Sequence, residues 1–110
     1  IETVEAVENA EKIAAVDGID ALIVGPSDLS SDLGEPGNLK SEKLLSAAKK
    51  VTEAAKKQGK RCGTVSNNMQ YLNACREMGM TVFNKGSELG MLLSGAKNQV
   101  KAFWEEVIDK

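Results

Sequence analysis

The chain has 110 residues, with 14 Lys and Arg against 16 Asp and Glu, 42% apolar and 4% aromatic residues, and no histidine. A formal charge of −2 argues against a nucleic-acid footprint, and the apolar share suits a folded domain rather than a disordered one. Without histidine, neither a Ser-His or Cys-His nucleophile pair nor a His-ligated zinc site can be built, so any chemistry rests on carboxylates, amines, hydroxyls and thiols.

The chain opens at Ile1-Glu2-Thr3 and runs straight into a helical pattern, as a sequence cut inside a strand does. The expectation is therefore a piece of a longer domain. From Val4 to Val16, apolar residues recur at Ala6, Ala10 and Ile13 and at Val7, Ala10 and Ala14, a helical spacing with Thr3 as N-cap and Gly18 as stop. Ile19 to Val24 then reads as a buried strand, followed by the loop Gly25-Pro26-Ser27-Asp28-Leu29-Ser30.

Ser41 to Gln58 repeats the helical pattern, with Leu44, Ala48, Val51 and Ala55 on one face and Gly59 ending it. Its lysines, continuing to Lys60 and Arg61, read as a solvated face. Arg61 to Val65 is the next strand. Asn68 to Met78 is a shorter helix with Met69, Leu72 and Cys75 inward, stopped by Gly79, and Met80 to Phe83 is a further strand. The final helix carries Ala96, Phe103 and Val107 in one stripe and Trp104 and Ile108 in a second. The plainer reading of that wide surface is an ordinary core helix; the other is docking on a second subunit.

Strands alternating with helices predict an α/β fold of four parallel strands, with Ile1 and Glu2 ending the first. Such a unit is either a small open sheet or half of an eight-stranded barrel, and the pattern alone does not choose. Cys62 and Cys75 fit no CxxC element and are expected as reduced thiols of a cytoplasmic protein. No secretory leader opens the sequence, and runs such as Ala21 to Val24 are far short of the ~20 apolar residues that span a bilayer, so neither membrane nor nucleic acid is expected as a partner.

Ligands of parallel α/β folds collect beyond the carboxyl ends of the strands. Glu2 and Asp28 stand at two consecutive strand ends. Strands are ~4.8 Å apart, so two such carboxylates can converge on one hard cation, with water and substrate completing its shell. Spacing alone favours the plainer alternative, in which Glu2 belongs to a first helical turn and Asp28 to a loop turn. The amides of Ser27 and Asp28 suit either a small anion or a tight turn. Gly86-Ser87 can begin a helix that offers amides to an anion, while Lys85 reads as a solvated lysine rather than a Schiff-base former.

Ile1-Glu2-Thr3, Ala6-Val7-Glu8-Asn9, Gly18-Ile19-Asp20-Ala21-Leu22-Ile23-Val24-Gly25-Pro26-Ser27-Asp28-Leu29-Ser30 and Leu33-Gly34 together resemble the HpcH/HpaI aldolase family, metal-dependent class II pyruvate aldolases. The resemblance continues through Gly59-Lys60 and Gly63 to Gly86-Ser87-Glu88. It implies that residues 1–110 form one unit, the C-terminal half of a (β/α)₈ barrel. It also implies a lyase that joins or cleaves pyruvate, as its enolate, and an aldehyde, on 4-hydroxy-2-oxo acids or 2-keto-3-deoxy sugar acids.

By the same resemblance Glu2 and Asp28 hold a divalent cation (Mg²⁺, Mn²⁺ or Co²⁺), Ser27 and Asp28 hold the pyruvate carboxylate, and Val65 lines the substrate pocket. The family's catalytic Arg and His belong to its N-terminal half, so no catalytic residue is assigned here and the isolated chain is expected to turn over weakly or not at all. Lys40-Ser41 stands where the family usually has His-Pro, and Glu88 where it has Asp. Half a barrel leaves open edges and apolar surface, so a homo-oligomer is expected. The rivals are a self-associating half-barrel with idle site residues and a stand-alone anion-binding α/β domain.

Overall fold

The computed structural model describes residues 1–110. It begins with two short helices, α1 (Val4–Glu8) and α2 (Ala10–Ala14), then strand β1 (Ala21–Val24), helix α3 (Pro26–Asp32) and the long helix α4 (Glu42–Lys57). Strand β2 (Arg61–Val65), helix α5 (Met69–Glu77), strand β3 (Val82–Asn84) and helix α6 (Glu88–Phe103) follow, and a π-helical turn at Trp104–Ile108 ends the chain. All three strands are parallel, in the order β1-β2-β3. The α/β class and parallel sheet are as the alternation predicts.

The sheet has three strands, where the sequence pattern predicts four. The stretch expected as the first strand contributes only Ile1, whose nitrogen donates to Ile23 O at 2.7 Å and whose carbonyl accepts from Gly25 N at 3.0 Å. Those two bonds flank Val24, so Ile1 lies beside Val24 in parallel register, and the pleat places Glu2 beside Gly25 on the opposite face. One residue of ladder is too short to count as a strand.

The helix expected over Val4 to Val16 is broken at Asn9. The Asn9 side-chain amide donates to Glu5 O at 2.9 Å, the local competition with the backbone ladder that makes Asn a poor interior residue. Thr3 and Ser41 cap their helices through the amides of Ala6 and Leu44. Gly59 and Gly79 close α4 and α5 at φ of 66° and 103°, a left-handed geometry that costs an L side chain energy.

One face of the sheet is covered. Leu22 and Val24 of β1 and Cys62 and Thr64 of β2 point to it, and Leu44, Ala48, Val51 and Ala55 of α4 pack over it with no exposed surface. Burying Leu44 and Val51 contributes about 2 kcal/mol each. On α5, Tyr71 takes the inward place expected for Met69, which is 56% exposed, while Leu72 and Cys75 are buried as predicted. Cys62 and Cys75 are both free thiols. The other face is open, leaving Ile23 and Val65 part-exposed.

Gly63 lies on this open face, where any β-carbon would overlap the Val82 carbonyl oxygen; only glycine lets β2 and β3 pair there. Helix α6 does not join the core. None of its residues is buried, nor is any of the terminal π turn, which overturns the core-helix reading of the wide stripe. The molecule is consequently drawn out to 61 × 30 × 22 Å, with a radius of gyration of 17.8 Å. A compact chain of this length has about 13 Å.

Candidate metal and carboxylate site

The segment expected as a loop after β1 is largely helix. Gly25 is the N-cap of α3, Pro26 stands at the first helical position and Asp28 in the first turn. Proline with its φ preset, followed by an acid facing the positive helix end, is a start signal present in the sequence. The run that follows has only Leu29 and Leu33 as apolar residues, too little periodicity to show a helix.

Three contacts tie the Glu2 segment to this helix. Gly25 N donates to Ile1 O, and Val4 N donates to Asp32 Oδ2 at 2.7 Å, so the last acid of α3 also caps α1. The Glu2 side chain itself lies over Gly25: a β-carbon there would stand 2.8 Å from Glu2 Cγ and 2.9 Å from Glu2 Oε1. The bare glycine is a cradle for that carboxylate. Asp32 and Gly25 in these roles were not legible from residue spacing, because both act across 23 or more positions of chain.

Glu2 and Asp28 are both exposed, and neither enters an ion pair; the three ion pairs of the molecule are Lys43–Glu35, Lys57–Glu11 and Lys101–Glu105. No group of three or more His, Cys, Asp or Glu side chains gathers anywhere in the chain. A cation at this place would therefore take two carboxylates from the protein and complete its shell with water or ligand oxygens, a set that suits a hard divalent ion. The chemistry of these two oxygen donors fits such an ion.

The amides of Ser27 and Asp28 lie in the first turn of α3 and donate to no backbone or side-chain acceptor. The Ser27 carbonyl is held by the hydroxyls of Ser30 at 2.9 Å and Ser31 at 3.0 Å. Ser30, fully buried, also accepts from Gly37 N at 3.0 Å and so anchors the loop after α3. Val65 ends β2 on the open face, the face that Glu2 shares, at 41% exposure.

Lys85 is exposed and lines a polar cleft with Asn67, Ser94 and Asn98 between β3 and α6; no apolar cluster desolvates it, as the sequence suggests. Ser87 spends its hydroxyl on Gly90 N as the cap of α6. Sequence reading missed Thr64 and Tyr71, whose buried hydroxyls lie 3.4 Å apart behind the carboxyl end of β1. A threonine in a strand and a tyrosine in a helix carry no signal of their own.

Glu2 and Asp28 stand at the carboxyl end of a parallel sheet, beside a glycine-opened helix start, where ligands of parallel α/β folds collect. The family model for HpcH/HpaI aldolase/citrate lyase matches residues 1–95. The chain belongs to that family. It is 36% identical over 103 residues to 5-keto-4-deoxy-D-glucarate aldolase of Klebsiella pneumoniae, covering 94% of this chain and 40% of that enzyme. It is 33% identical over 97 residues to 4-hydroxy-2-oxo-heptane-1,7-dioate aldolase of the same organism, covering 88% of this chain and 37% of the enzyme.

Among solved structures, the HpcH/HpaI aldolase of Desulfitobacterium hafniense superposes with a TM-score of 0.84 at 34% identity, over 96% of this chain and 41% of that one. The chain thus spans about two fifths of the length of these relatives.

Proposed function

We propose that this chain carries the metal-ligand part of an aldolase that makes or breaks a carbon–carbon bond between pyruvate and an aldehyde, acting on 4-hydroxy-2-oxo acids or 2-keto-3-deoxy sugar acids. The reading takes the chain as the C-terminal half of a (β/α)₈ barrel, with Ile1 and Glu2 at the end of its first strand. The observation that carries it is the placing of two carboxylates free of ion pairs at one strand end, Glu2 over the bare backbone of Gly25 and Asp28 in the first turn of α3, in a member of this family.

In this reading Glu2 and Asp28 hold the divalent cation. When bound, that ion supplies Lewis-acid polarisation of the keto and carboxylate oxygens of pyruvate. The amides of Ser27 and Asp28 orient the pyruvate carboxylate at the positive end of α3. Val65, on the same open face as Glu2, gives the substrate methyl or methylene carbon an apolar wall and keeps water from it. In this reading proton transfer falls to the family's catalytic Arg and His, which the resemblance places outside this chain. The same reading assigns the apolar face of α6 to a second copy of the protein.

Mn²⁺ binding followed by electron paramagnetic resonance, with and without pyruvate, tests the site. Binding that pyruvate strengthens, and that Glu2→Ala and Asp28→Ala each abolish, is expected. Binding indifferent to both substitutions would overturn the assignment.

A further inference from the structure

The peptide unit joining Val24 to Gly25 is held from both sides. Its N–H donates to Ile1 O at 3.0 Å, and its carbonyl accepts from Thr64 Oγ1 at 2.9 Å. Ile1 O belongs to the peptide that leads into Glu2, and Gly25 opens the helix that carries Asp28. This one peptide plane therefore spaces the two carboxylates. A threonine hydroxyl has a single proton, and Thr64 gives it to Val24, so the contact of 3.4 Å to Tyr71 must have the phenol as donor. Burial pushes the Tyr71 phenol above its ordinary value of 10.0, which keeps that proton in place.

Thr64 and Tyr71 are both buried, at 1% and 2% exposure, and no buried side-chain polar atom in the molecule lacks a partner. Valine and phenylalanine would fill the same volumes without desolvating a hydroxyl, so packing alone does not explain the pair. Thr64 bonds the Val24 carbonyl and Tyr71 stands behind Thr64, at the strand end that opens into the site.

We propose that Thr64, backed by Tyr71, is a positioning residue for the Glu2 and Asp28 pair, fixing the Val24–Gly25 peptide plane on which their separation depends. The inference rests on the metal-site reading above. Thr64 touches neither ligand nor cation; it acts through Val24.

The test uses Thr64→Val, Thr64→Ser and Tyr71→Phe in the intact protein, with two readouts: the Mn²⁺ dissociation constant and residue-resolved amide exchange at Gly25. Thr64→Val should weaken Mn²⁺ binding about tenfold or more and speed exchange at Gly25, with the amides of Leu22 and Ile23 in β1 and of Cys62 and Gly63 in β2 unchanged. Thr64→Ser should restore both, and Tyr71→Phe should shift both in the same direction by less. Unchanged Gly25 exchange in Thr64→Val overturns the proposal, as does a uniform acceleration across β1 and β2, which marks a packing residue only. Wild-type protein that binds no Mn²⁺ overturns the metal reading; the clamp then stands on a local, serine-rescued change at Gly25 and falls without one.

Discussion

Gly25 shows how one missing side chain can shape a site. Its φ of −92° is open to any L residue, so no backbone geometry demands glycine there. What demands it is the Glu2 carboxylate lying where a β-carbon would go. Because the clash is with the end of a flexible side chain, Gly25→Ala is expected to fold with little change in midpoint temperature while displacing Glu2. Mn²⁺ affinity should fall about tenfold or more, a loss read by titration beside a thermal melt. Equal losses of stability and affinity would mean that Gly25 serves the fold rather than the ligand.

At the scale of elements, α6 stands apart from the rest. Leu89 and Leu92 of α6 and Trp104 of the π turn after it are 62%, 70% and 52% exposed, and neither segment has a buried residue. In the proposed function this apolar surface docks on a second copy of the protein. Sedimentation should show association that strengthens with protein concentration, and Leu92→Lys with Trp104→Glu should shift the protein to the monomer without loss of β-sheet signal. A concentration-independent monomer would remove the assignment of α6 to a second copy. The contrast with α4 is instructive, since both helices have apolar stripes of ordinary spacing. The stripe of α4 is buried against β1 and β2, whereas no residue of α6 is buried.

For the whole molecule, the buried titratable groups set a direction with pH. Burial raises the thiols of Cys62 and Cys75 above their ordinary 9.0 and the Tyr71 phenol above 10.0. The unfolded chain then loses these protons at lower pH than the folded one, so their contribution is fully present below about pH 9 and is lost as pH rises beyond it. Thermal midpoints measured from pH 7 to 10.5 should fall above about pH 9. Replacing both cysteines by alanine should flatten the onset of that fall. A midpoint that climbs through this range would contradict the neutral, buried state of the thiols.

Much of this architecture is legible from residue order alone. The caps Thr3 and Ser41, the stops at Gly59 and Gly79, the inward face of α4 and the parallel α/β class all follow from local stereochemistry and apolar spacing, which act over a few residues. The family follows from Ile1-Glu2-Thr3 and Gly25-Pro26-Ser27-Asp28 standing at their particular separation. Tertiary structure alone decided that Ile1 is all that joins the ladder from the first segment, that Tyr71 rather than Met69 turns inward, that α6 is left uncovered, and that Glu2 rests in the space Gly25 leaves. Each depends on what lies across space from a residue, and the periodicity of one segment carries no information about the partner that another segment supplies or withholds.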